Sequence, residues 1–193
     1  MIYKKLGEIA DLINGYSFKS ENYVNKGLRV IRIANVQDGY LSDERPCFYP
    51  EKYLNVIGDA VLRQGDLLMS LTGNAGRVAL LDKSFLPAVL NQRVECIRTR
   101  DEISKQYLFN YFRSNNFILK VTNATTGSAQ QNLSIKWLEN HEIPVVEIGE
   151  QEIINKTIAS IDESISIEND RISYFDDLIK SRFIDRRARY GQC

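Results

Sequence analysis

The chain has 193 residues, 44% of them hydrophobic, and its 25 basic and 25 acidic side chains cancel to a net charge of zero. That length fits one domain with an appendage or two small domains, and the apolar content supports a packed core and excludes a disordered chain. No run approaches the ~18 apolar residues of a membrane span, and Glu8 and Asp11 interrupt the opening stretch where a secretory signal would be apolar.

Taken in order, residues 28–36 (LRVIRIANV) are rich in β-branched side chains and bounded by Gly27 and Asp38-Gly39, so a strand and turn are expected. Gly65-Asp66 precedes a strand at 67–69, and further strands are expected at 77–81 and 93–98. Asp101 or Ser104 caps a helix through about Ser114, with Tyr107, Leu108, Tyr111 and Phe112 on one face. A short helix from Ser134 to about Asn140 and a strand over 143–146 follow, and Gly149 marks a boundary. The fold class is therefore α/β (α+β): a mixed-sheet head over 1–149, then one long coiled-coil helix over 150–193.

The helix carries a heptad seam. Ile154, Ile161 and Phe175 form one track, and Ile158, Ile165, Ile172 and Ile179 the other, alternating steps of four and three as helices do when they bury one stripe against a partner. Glu168 and Arg182 stand at seam positions where an apolar residue is expected. Spanning about 60 Å, the helix outruns its own head, so a partner must cover the stripe. Eight acids against Lys156 and Arg171 leave residues 150–179 at −6, while five bases against Asp185 leave 180–193 at +4. Acids early and bases late suit a helix macrodipole, and a basic end meeting phosphate or an acidic partner is the alternative.

Catalytic chemistry finds little support. The loop Ser70-Leu71-Thr72-Gly73-Asn74-Ala75-Gly76 lacks the Lys-Ser/Thr of a phosphate loop and leads into a strand, so its glycines are expected to permit a tight turn. His141, the single histidine, has no nucleophile beside it in the sequence and is expected at the surface or a helix end. Cys47, Cys96 and Cys193 show no paired spacing, which points to free thiols in a reducing cytoplasm, with no metal and no cofactor. Three polar loops remain: Tyr16 to Lys19, Asn91-Gln92-Arg93, and the run holding Ser128, Gln130 and Gln131. Amides bond adenine edges bidentately and Arg does so for guanine, so these loops suit major-groove reading; turn formation and solvated caps are the plain alternative.

Several short motifs, in order, resemble the specificity subunit of type I restriction-modification enzymes. They are Lys5-Leu6-Gly7-Glu8-Ile9-Ala10, then Gly65-Asp66-Leu67-Leu68-Met69-Ser70 with Gly73 and Gly76, then Asn91-Gln92. The fullest match is the end: Gly127-Ser128, Gln131-Asn132-Leu133-Ser134, Leu138, Ile143-Pro144 and Glu150-Gln151. The resemblance implies a non-catalytic target recognition domain that binds double-stranded DNA. It also implies a long helix that docks methyltransferase subunits, and it leaves open a restriction subunit. Full-length members carry two such heads and two antiparallel helices, whereas one of each is present here, so a half-length subunit, a truncated product or an isolated half is expected. A homodimer of antiparallel helices would then place two heads on a bipartite palindromic target. The seam from Ile154 to Arg182 is about 42 Å long, comparable to the ~34–36 Å of one DNA turn. The competing reading is an oligomeric coiled-coil scaffold whose head binds protein.

Overall fold

The computed structural model describes residues 2–126 and 132–190, with side chains through residue 182. The chain divides into two compact units, Met1–Gln151 and Glu152–Cys193. Strand β5 (Leu67–Ser70) is apolar at three of its four positions and buried throughout, which suits a central strand. It lies inside a four-stranded sheet ordered β2 (Ala10–Asn14), β8 (Val94–Thr99), β5, β6 (Val78–Leu80). A second sheet orders β4 (Phe48–Tyr49), β3 (Leu28–Ile31) and β7 (Ala88–Leu90), with β3 and β7 parallel. Between the two sheets lies a core that includes Val30, Val89, Leu90, Leu68, Val94 and Cys96. Burial pushes the Cys96 thiol far up, so it stays protonated.

Alternation sends Leu67, Met69, Glu95 and Ile97 to the other face of the large sheet, where they are also buried. Helix α3 (Lys105–Phe112) packs against β6, and Val121 of α4 (Asn115–Thr125) lies over Gly76. Helix α4 was absent from the expected elements, because Ser114 reads as the end of α3. It is the N-cap of α4, its hydroxyl accepting from Phe117 N–H at 3.3 Å. Ser134 caps α5 (Ile135–Glu139) in the same way, as expected. The remaining elements are α1 (Leu6–Ile9), α2 (Leu54–Ile57) and a two-stranded sheet of β1 (Ile2–Lys5) with β9 (Glu142–Val145).

Three expectations are corrected. The strand at 28–36 stops at Ile31, because the Asn35 side chain accepts from Arg32 N–H and donates to the Ser42 carbonyl, both at 3.0 Å, and folds the chain into a turn. The long helix begins just before Gly149 and not after it: α6 (Ile148–Tyr190) already includes that residue. His141 follows α5 but is buried, stacked on Trp137 with ring centroids 4.8 Å apart and bonded through Nε2 to the Tyr111 hydroxyl at 2.9 Å. Burial pulls its pKa down to about 4, so it sits there neutral.

The root of α6 is tied down by one amide. Gln151 is fully buried; its Oε1 accepts from Ser104 N–H at 2.9 Å, and its Nε2 donates to the carbonyls of Val146 and Glu102 at 2.8 and 3.2 Å. Beyond it, the expected seam residues Ile161, Ile165, Ile172, Phe175 and Ile179 are exposed, and Ile154 and Ile158 are half-buried. Glu168, the polar interruption, accepts from Arg171 Nη1 at 2.8 Å. Both side chains are well exposed, so this pair contributes little to helix stability.

Candidate nucleic-acid interface

Strand directions bring four connecting segments to one edge of the head, and the segment at Asn132 joins them there. Strands β2 and β5 both run antiparallel to β8, so each ends where β8 begins, with Asn14 opposite Glu95 and Ser70 opposite Val94. Parallel β3 and β7 end together at Ile31 and Leu90. The segments leaving these strands are therefore neighbours although far apart in sequence. Backbone bonds join them: Tyr16 N–H donates to Leu90 O at 2.7 Å, and Gln92 N–H donates to Tyr16 O at 3.1 Å. Asn91 N–H reaches Ile31 O at 3.0 Å, and Leu71 N–H reaches Arg93 O at 3.0 Å. Thr72 bridges Asn132, and Leu133 N–H donates to Leu71 O at 2.7 Å.

Close approach is permitted by Gly15, where a Cβ would overlap the Asn91 carbonyl and stand 2.6 Å from the Gln92 nitrogen. Asn91 shapes the β7–β8 turn, its side-chain oxygen accepting from Arg93 N–H at 3.2 Å and its carbonyl from Val94 N–H at 2.9 Å. Gln92 and Arg93 are left exposed. Tyr16 is half-buried, its ring 5.1 Å from Phe18, which in turn meets Tyr49 at 4.8 Å, so part of Tyr16 serves the core. Lys19 is exposed a few residues on. Ser128, Gln130 and Gln131 lie outside the described residues.

The motif at Gly65-Asp66 has a structural task. Gly65 adopts a φ of 79°, and Asp66 accepts from Arg98 Nε and Nη2 at 3.0 and 2.8 Å and from Arg63 N–H at 2.8 Å, locking the entry to β5. Gly73 and Gly76 take φ of 71° and 86° in the β5–β6 hairpin, as a tight turn requires.

Two features of this edge escaped the sequence reading. The loop over residues 32–45 docks on the hairpin, with Gly39 N–H donating to Val78 O at 2.9 Å and Arg77 bonding Gln37. Amides and an arginine in that loop were a usable signal, hidden by the expectation of a strand through residue 36. The second is Glu95, completely buried where β8 leaves the edge, with neither carboxylate oxygen hydrogen-bonded among the described residues. Desolvation, with a contribution from the Glu139 charge, raises its pKa from 4.5 to about 7.

A raised carboxyl pKa has a definite sign. Below 4.5 the acid is protonated whether the chain is folded or not, and its full contribution is present. As pH rises towards and through 7 that contribution is lost, because only the unfolded chain ionises freely. The loss is on the order of 3 kcal/mol, at about 1.4 per pKa unit. Urea unfolding at pH 5 and pH 8 should show that Glu95→Gln removes most of this fall; an identical fall in both proteins would assign it to other groups.

The head is built of mixed sheets with a loop-built edge and is followed in the chain by a long helix. Residues 2–174 match the model of the type I restriction modification DNA specificity domain, and the chain belongs to that family. It is 31% identical over 169 residues to the specificity subunit of the type I restriction enzyme MjaVIII of Methanocaldococcus jannaschii, covering 85% of this chain and 40% of that protein. The EcoAI specificity subunit of Escherichia coli is 30% identical over 170 residues, covering 86% and 28%. The chain thus spans less than half the length of these relatives.

Solved structures share the fold. One, from work on complex assembly and conformational transition of the type I R-M system, superposes with a TM-score of 0.73 at 20% identity, covering 93% of this chain and 43% of that one. The HsdS subunit from Thermoanaerobacter tengcongensis gives 0.62 at 23% identity, covering 86% and 38%. Mixed sheets and a long C-terminal helix were both expected from the sequence, and both are present.

Proposed function

We propose that the chain is the non-catalytic, sequence-reading part of a type I restriction-modification complex. In this reading the head over 1–149 contacts double-stranded DNA and the helix over 150–193 assembles the complex. The observation that carries it is the convergence of the Gly15, Leu71 and Asn91 segments on one edge, with Gln92 and Arg93 exposed there and Lys19 exposed a few residues beyond Gly15. Residues Tyr16, Asn91, Ser128, Gln130 and Gln131 complete the proposed contact set. Two antiparallel copies of α6 would place identical heads on inverted half-sites, giving an interrupted palindrome as the target.

A second stripe on α6 supports a further partner. Ile153, Ile167, Tyr174 and Leu178 are exposed and recur at heptad-compatible spacing, about a third of a turn from the first seam. A helix with two seams suits a bundle of more than two strands, and methyltransferase subunits are the partners this reading assigns to it.

Selection from a random duplex pool, with the methyltransferase subunit present, tests the proposal. An enriched bipartite motif is expected; recovery of no motif at moderate salt would leave the scaffold reading in its place. In the same assay Arg93→Ala should weaken or relax one position of each half-site by about 1–3 kcal/mol.

A further inference from the structure

Gln37 is held by two bonds of opposite sense. Its Nε2 donates to the Ala34 carbonyl at 2.8 Å, and its Oε1 accepts from Arg77 Nη1 at 2.9 Å. A carbonyl only accepts and a guanidinium only donates, so the amide has one permitted orientation. Arg77 is clamped in turn: with the Asn74 amide turned so that its oxygen faces the guanidinium, that oxygen accepts from Nη1 and Nη2 at 3.2 Å each. These contacts tie the loop over 32–45 to the hairpin at the interface edge.

A carboxamide has two N–H donors and two acceptor lone pairs. One of each is used internally, so Gln37 retains one donor and one acceptor. That pair complements N7 and N6–H of adenine in the major groove; guanine offers two acceptors there, thymine an acceptor and cytosine a donor. Gln37 is half-buried and borders a cleft of about 320 Å³ whose wall also includes Asn35, exposed Tyr40 and exposed Arg45. Asn35 is bonded in the same way by its own loop but is only 4% exposed, so Gln37 is the more accessible amide of the two.

We infer that Gln37 is a specificity-determining residue that reads an adenine in the target, with Arg77 as its positioning residue. The inference rests on the DNA-reading function proposed above. Pre-orientation by Ala34 and Arg77 removes the rotamer freedom that a solvated glutamine would have to surrender on binding.

The test is selection from a random duplex pool by the full chain with its methyltransferase subunit, comparing wild type, Gln37→Glu, Gln37→Ala and Arg77→Ala. Wild type should enrich an adenine at one position of the half-site. Gln37→Glu has only acceptors to offer, so the same position should change to cytosine, a switch that unfolding cannot produce. Gln37→Ala should lose about tenfold or more of the adenine preference at that position alone, and Arg77→Ala should relax the same position. A wild-type motif that persists unchanged in both Gln37 variants overturns this inference and leaves DNA reading intact. A uniform loss of affinity in Gln37→Ala, with the motif unchanged in Gln37→Glu, also overturns it by making the role structural. No motif with wild type overturns both.

Discussion

Gly15→Ala is expected to destabilise the head by on the order of 3 kcal/mol or more, lowering Tm by about 6–12 °C. Gly15 has no unusual φ to maintain, so the cost is spatial. A methyl group there meets the Asn91 carbonyl and the Gln92 nitrogen, which are backbone atoms and cannot swing aside like a flexible side chain. Relief requires separating the Tyr16 segment from the β7–β8 turn, breaking the bonds from Tyr16 N–H to Leu90 O and from Gln92 N–H to Tyr16 O. Stability and the proposed reading surface should therefore fail together. Gly149→Ala is the control: an added Cβ meets nothing within 4 Å, and inside a helix alanine stabilises by about 0.5–1 kcal/mol. Thermal unfolding of both variants decides the matter, and a Gly15→Ala protein melting within a degree of wild type would refute the close-approach argument.

Replacing Ile161, Ile165 and Ile172 together by Asp should convert the proposed dimer into a folded monomer. Each of these side chains is more than half exposed in the single chain, at 53%, 54% and 58%. Covering the remainder stabilises by roughly 1 kcal/mol per residue, or about 6 across a two-fold pair, which corresponds to about four orders of magnitude in Kd. Buried aspartates would add a desolvation cost to that loss. Sedimentation equilibrium should show the monomer mass while circular dichroism keeps the head's signal. If the variant still sedimented as a dimer, the proposed seam would not be the interface, and the stripe of Ile167, Tyr174 and Leu178 would be the next surface to test.

Elements whose signal is local were legible in the residues themselves. The heptad spacing of α6, the Ser134 cap and the all-apolar start of β5 each follow from a short window, because helix periodicity and capping are properties of near neighbours. Helix α4 was lost although its cap is equally local, since Ser114 serves as both an end and a beginning. His141 was misplaced for a different reason: the rings of Trp137, Tyr111 and Phe117 that enclose it come from three helices.

For the candidate interface the division is sharper. Composition and spacing named the polar loops at Gly15, Asn91 and Ser128 as suited to base contact, because amide and guanidinium chemistry belongs to the residue. That the Gly15 and Asn91 loops are neighbours is a property of strand direction: antiparallel β2–β8–β5 and parallel β3–β7 deliver their ends to one edge, and no local pattern encodes that pairing. The same holds for Gln37, whose proposed reading depends on Arg77 forty residues away, and for Glu95, an ordinary glutamate in the chain and a buried acid with no hydrogen-bond partner among the described residues. The sequence by itself determined the chemistry available and the long helix. Only the tertiary structure decided which side chains share a surface and which protons they hold, because burial and charge act through space.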